Sequence, residues 1–128
     1  MTTAIVCAAL LGLLLFGLGL YVSAARGADK AGAYPSDPAD PFFKRMRAHG
    51  NTAEYAPMMA VLILVCGVRN PSTWVQCVMV LAVASRYSIA SGILLSSTLD
   101  KPQPLRFVGA TGTYLTGIAL SIAVLLSA

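Results

Sequence analysis

Four long apolar runs separated by polar interruptions organise the chain. The first, Ala4 to Val22, continues for 19 residues without a charge. At about 1.5 Å of rise per helical residue it nearly crosses a hydrocarbon core of roughly 30 Å. RGADKAGAYPSDPADP (Arg26–Pro41) then punctuates the pattern with Gly, Pro and Asp and reads as a loop. A second run ends at Val68, and Arg69-Asn70-Pro71-Ser72 marks the next turn, with Asn70 as a candidate cap and Pro71 suited to a first helical turn. The third run, Thr73 to Leu99, is apolar except for Gln76, several serines and a central Arg86. DKPQP (Asp100–Pro104) ends it, and the fourth run, Phe107 to Ala128, holds 22 residues without a charge. The pattern predicts one all-α domain over residues 1–128, an integral membrane four-helix bundle spanning at about 3–24, 43–68, 73–98 and 105–127.

Composition agrees. With 57% hydrophobic and 11% charged residues and a mean hydropathy of +0.75, the chain falls outside ordinary soluble domains, and membrane lipid rather than nucleic acid is the expected surrounding. Val22-Ser23-Ala24 resembles a signal-peptidase site, but residues 1–6 (MTTAIV) carry no cation and the first is Arg26, so the first run is read as a retained span. Cys7, Cys66 and Cys77 all sit in apolar stretches, and neither they nor the lone His49 show metal-ligand spacing.

The cations set an orientation. Arg26, Lys30, Lys44, Arg45 and Arg47 flank the first loop, Lys101 and Arg106 flank the third, and the second has only Arg69. The positive-inside rule puts loops 1–2 and 3–4 in the cytoplasm and both termini outside. Small residues at four-residue spacing, Gly109, Thr113 and Gly117 in the fourth helix and Ala8 and Gly12 in the first, predict close helix contacts.

Chemistry concentrates in KRMRAHGNTAEYAPMMAV (Lys44–Val61). On a wheel of about 100° per residue, Arg47, Asn51, Glu54 and Tyr55 share one face, Lys44 leads into it, and Arg45 and His49 point away. Counting from Val68 and from Thr73 puts Glu54 and Arg86 at the same depth, roughly 20 Å from the outer face. A charge there costs at least a few kcal/mol unless it meets protein or water, which predicts a Glu54–Arg86 pair. A purely architectural pair needs two residues, whereas this face holds more. At the cytoplasmic ends Arg26, Arg47 and Arg106, with Lys101 nearby, suit a ligand carrying two or more carboxylates. Contact with lipid phosphates is the competing reading of those cations.

Arg47-Ala48-His49-Gly50-Asn51-Thr52-Ala53-Glu54-Tyr55-Ala56-Pro57 resembles the second-helix signature of the MAPEG family, the membrane-associated proteins in eicosanoid and glutathione metabolism. Arg86 with Gly92 resembles that family's third-helix pattern, and Leu105-Arg106-Phe107-Val108-Gly109 its fourth-helix opening. The resemblance, to the microsomal glutathione transferase-like members of bacterial type, implies a homotrimer binding glutathione between neighbouring subunits near the cytosolic face. It implies that Arg26, Arg47, Asn51, Glu54, Tyr55 and Arg86 hold glutathione, and that Arg106 is catalytic, stabilising the thiolate. The expected activity is glutathione-dependent transfer or peroxide reduction on an apolar small molecule or lipid hydroperoxide. Ile89 and Ile93 stand where glutathione-using members often carry His or Tyr. Binding of another anionic ligand or lipid is therefore one alternative, and a small transporter-like protein built on Glu54 is another.

Overall fold

The computed structural model describes residues 1–29 and 35–127, with the backbone alone at Ala28 and Asp29; Lys30, one of the orienting cations, lies outside the described residues. Four helices carry the chain: α1 (Thr2–Asp29), α2 (Pro41–Val68), α3 (Thr73–Leu95) and α4 (Pro104–Leu126). Each is long and apolar enough to cross a membrane, and no strand occurs among the described residues. The protein is an all-α integral membrane bundle.

Local chemistry explains where the helices begin and end. Asp40 caps α2 by accepting from the Phe43 amide at 2.9 Å, ahead of Pro41 in the first turn. Gln103 does the same for α4 through the Arg106 amide, followed by Pro104. α1 runs through Arg26 and Gly27, where a loop is expected from the sequence: Ala24 and Ala25 favour helix, and no proline interrupts before Pro35. Conversely α3 stops at Leu95, short of Leu99, because Ser96 turns extended (φ −64°, ψ 139°) and its hydroxyl donates back to the Gly92 carbonyl. Asn70 is no helix cap. It takes the left-handed conformation (φ 50°) that Asn tolerates, and α3 starts after Pro71, with Ser72 in the cap position.

α2 and α3 form the centre. α1 packs on both, α4 packs on α3 and on α2, and α1 and α4 are not in contact among the described residues. Near the termini, Leu11, Ile63, Met79, Ala82 and Leu120 fill the core; toward the end that carries the first and third loops, Leu18, Ala48, Ile89, Ala90 and Ile93 continue it. Outward, Phe16, Leu20 and Leu95 are each more than two-thirds exposed, as an apolar flank of a membrane-embedded bundle is.

Small residues set the close approaches, although not at every position the spacing singled out. A Cβ on Gly109 would strike the backbone nitrogen of Ile89, and one on Gly67 would strike Ala4, whereas Gly12 and Gly117 have open space around them. Gly109→Leu therefore has to force α4 off α3 and should destabilise the detergent-solubilised protein by about 1–3 kcal/mol. Gly12→Ala should leave the unfolding midpoint unchanged or slightly raised; denaturant titration of both variants beside the parent checks the contrast.

Candidate functional site

The site is built around a charge that the bilayer disfavours. Arg86, on the buried stripe of α3, has no exposed surface. Its Nη2 donates to both the main-chain oxygen (2.9 Å) and the side-chain oxygen (2.7 Å) of Asn51 on α2, and its Nη1 to the Thr113 hydroxyl on α4 at 3.3 Å. Thr113 in turn donates to the Gly109 carbonyl at 2.7 Å. The guanidinium carbon lies 5.2 Å from the centre of the Tyr55 ring, and Nε alone has no partner. A cation is thus held by neutral acceptors and an aromatic face.

No salt bridge joins Glu54 to Arg86 among the described residues, although the Glu54 charge acts on the guanidinium electrostatically. Glu54 lies on the exposed side of α2, while Asn51 offers two oxygens on the side facing α3. A wheel of α2 by itself places both residues on one broad face; only the position of α3 separates them.

Beside Asn51, an open cleft of about 350 Å³ lies at the end of the bundle that carries the first and third loops. Arg47, Asn51, Gln103 and Arg106 supply its polar lining, and Ile89, Ile93, Leu99 and Phe107 much of its apolar wall. Arg106 is positioned by the turn before α4. Its Nη1 donates to the carbonyls of Leu99 (3.0 Å) and Lys101 (3.2 Å), and its amide is held by Gln103. Gly92 makes this possible: a Cβ there would come within 2.7 Å of the Arg106 amide nitrogen. The loop carrying Leu99 is fixed to the first loop by the Leu99 amide donating to the Pro38 carbonyl at 3.0 Å, and Lys44 Nζ donates to the Ser96 carbonyl at 3.0 Å. Lys44 thus acts on the loop and not on the cleft.

Glu54 and Tyr55 line a second hollow, an apolar groove of about 440 Å³ between α2 and α4, with Met58, Leu62, Tyr114 and Ile118. The Tyr55 and Tyr114 hydroxyls are 3.2 Å apart. The face read from the α2 pattern therefore divides, with Arg47 and Asn51 in the cleft, Glu54 and Tyr55 in the groove, and Arg86 behind both. Arg26 is exposed near the end of α1 and does not line the cleft or the groove. Arg45 stacks on Tyr21 of α1 with 4.3 Å to the ring centre, and the His49 ring sits beside Gly19, so both face α1.

Three contributors were not singled out by the sequence pattern: Gln103, Tyr114, and Thr113 as an acceptor. A polar side chain directly before Pro104 was the available signal for Gln103, and a phenol inside a charge-free run was the signal for Tyr114. No cluster of His, Cys, Asp or Glu able to hold a metal occurs among the described residues. What the cleft offers is two guanidinium groups and two side-chain amides, a donor set for an anion with several acceptors.

The family model described as "MAPEG family" matches residues 4–126. Comparison with curated proteins finds no match.

The Arg86 network predicts a ranking. Asn51→Leu removes the short side-chain acceptor from a buried cation, leaving only the main-chain oxygen at that position, and should cost about 2 kcal/mol of stability, whereas Thr113→Val removes one long bond and should cost about 1 kcal/mol. Unfolding titrations in detergent read both, and a larger loss from Thr113→Val would contradict the ranking.

Proposed function

The chain belongs to the MAPEG family, and on that premise we propose that it is a membrane-bound, glutathione-dependent transferase or peroxidase acting on apolar electrophiles or lipid hydroperoxides. The observation that carries this reading is the convergence of Arg47, Asn51 and Arg106 on one cleft that adjoins an apolar groove. Glutathione has two carboxylates and a thiol, and guanidinium forks match carboxylates in pairs. Arg47 and Asn51 hold the peptide, Arg86 and Tyr55 fix that wall from behind, Glu54 and Arg26 are ligand residues by resemblance, and Arg106 faces the sulfur.

Arg106 supplies the chemistry. A free thiol of pKa near 8.5 is only a few per cent thiolate at neutral pH. Lowering that value by about two units takes roughly 2.7 kcal/mol of preferential stabilisation of the anion, within reach of one guanidinium in a partly dry site. With Nη1 occupied by the Leu99 and Lys101 carbonyls, the rest of the fork is aimed while its donors remain. The thiolate then displaces a leaving group from an electrophilic carbon, or adds to the β-carbon of a conjugated carbonyl while the α-carbon takes up a proton, or attacks a hydroperoxide oxygen, so that the O–O bond breaks, glutathione sulfenic acid forms and the alkoxide takes up a proton to leave as the alcohol. The assembly is a homotrimer whose apolar flanks pack together, with the site shared between neighbouring copies. Both termini face outward, and the first and third loops face the cytoplasm that supplies glutathione.

A second reading, binding of a different anionic amphiphile, draws on Ile89 and Ile93. They give the cleft an apolar wall with no donor, which suits a hydrocarbon tail below an acidic head.

Thiolate ultraviolet absorbance separates the two. Glutathione added to the detergent-purified protein at neutral pH should give a thiolate signal that Arg106→Ala reduces to a few per cent. In that variant the midpoint of the signal should move up toward pH 8.5, so turnover becomes confined to more alkaline solution. No signal from the parent protein would overturn the glutathione reading, and equal signals would remove Arg106 from its role.

A further inference from the structure

Tyr114 sits ten residues beyond Pro104 on α4, about 15 Å along the helix and so near the middle of a hydrocarbon core of roughly 30 Å. Tyrosines usually favour the interface, where the hydroxyl meets water. Here the hydroxyl lies 3.2 Å from that of Tyr55, with the rings edge to face at 5.8 Å between centres. Two hydroxyls carry two hydrogens, and the bond between them uses one. Neither phenol has another hydrogen-bond partner among the described residues, so the second hydrogen has no acceptor there.

An unspent donor at this depth is costly, because hydrocarbon offers nothing to accept it. A lipid acyl chain covering the groove would leave it unsatisfied. Glu54 lines the same groove but takes no bond from either hydroxyl. The pair is also held firmly: the Tyr55 ring rests against the Arg86 guanidinium, which Asn51 and Thr113 fix in place. Apart from the phenols, Glu54, Thr113 and Ser121, the wall is apolar, with Met58, Leu62, Ile118 and Ile122 bordering an open volume within the range of small-molecule sites.

We propose that Tyr114 is a specificity-determining residue: with Tyr55 it presents one hydroxyl hydrogen to the single acceptor oxygen of an otherwise apolar co-substrate lying in the α2–α4 groove. The chemical class is a medium- or long-chain molecule bearing one carbonyl or hydroperoxide group, preferred over an alkyl halide of similar size. Turnover of that molecule rests on the glutathione reading above, but its binding does not.

The test has two arms on the full chain in detergent. In the first, without glutathione, 2-nonanone labelled with carbon-13 at the carbonyl is added and its infrared stretch recorded. The parent protein should show a saturable, down-shifted carbonyl band above the micelle background, and Tyr114→Phe should lose it. A band absent from the parent, as when a second copy of the chain satisfies the hydroxyl, overturns the proposal, and so does a band that persists in the variant. In the second arm, with glutathione, Tyr114→Phe should lower kcat/KM for trans-2-nonenal about tenfold and leave 1-iodohexane within twofold. Equal losses on both substrates would make Tyr114 merely structural. If the parent turns over neither substrate the glutathione reading fails, and the infrared arm decides the inference without it.

Discussion

A guanidinium buried at membrane depth and hydrogen-bonded to no carboxylate is the constraint on which the rest of this protein depends. Arg86 has no exposed surface, and its hydrogen bonds go only to neutral oxygens, two on Asn51 and one on Thr113. Satisfying it requires oxygens from the helices on both sides of α3 within bonding distance at the same level. α4 must therefore come close, which is why Gly109 faces Ile89 with no room for a Cβ and why the neighbouring buried position is the small, hydroxylated Thr113. The same bonds fix which way Asn51 points and give the Tyr55 ring a cation to rest on. One charge thus ties three helices together and sets the wall of a cleft.

The second organising feature is the structured cap at the end of the bundle that carries the first and third loops. Lys44 reaches the Ser96 carbonyl, Leu99 bonds to Pro38, and Arg106 gathers the carbonyls of Leu99 and Lys101. These bonds satisfy the free carbonyls that follow α3, and they aim Arg106 at the cleft without a carboxylate. A guanidinium held by neutral carbonyls keeps its full positive charge for an anion, whereas one paired to Asp or Glu would already be neutralised. Asn51 lines the cleft and Tyr55 the α2–α4 groove, and Arg86 binds the first and lies against the ring of the second, so one side chain braces a residue of each hollow.

Much of this was legible in the amino-acid pattern, because membrane helices leave little freedom in how apolar runs are arranged. Run length fixed the four helices, and the 100° wheel identified Arg47, Asn51, Glu54 and Tyr55 as one face. A wheel describes a single helix, however, and cannot say which edge of a face meets its neighbour. That is why Glu54, level with Arg86, appeared to be its partner when the amide one turn earlier holds it. Helix ends were misjudged where the deciding group was a side chain bonding to its own helix, as with Ser96, or where alanine outweighed a glycine, as at Gly27. Tyr114 is not legible in the pattern, because a charge-free run reads as lipid-facing and nothing local reveals that a phenol hydroxyl from α2 lies 3.2 Å from its own.

Ile89 and Ile93 carry the remaining tension, and its physics runs in both directions. They form the wall of the cleft beside Asn51, where a donor would add affinity for a peptide ligand. Removing two such donors weakens ground-state binding. The same substitution leaves the cleft drier, and a charge interaction strengthens as the effective dielectric falls. In the glutathione reading, Arg106 then acts on the sulfur more strongly than it would beside hydroxyls or imidazoles. In that reading the exchange lowers affinity for the co-substrate, while the stronger charge interaction offsets the cost of desolvating the thiolate. That combination suits an abundant co-substrate, because a weak Kd is no handicap when concentration keeps the site occupied, and only interactions that favour the thiolate over the thiol raise the rate.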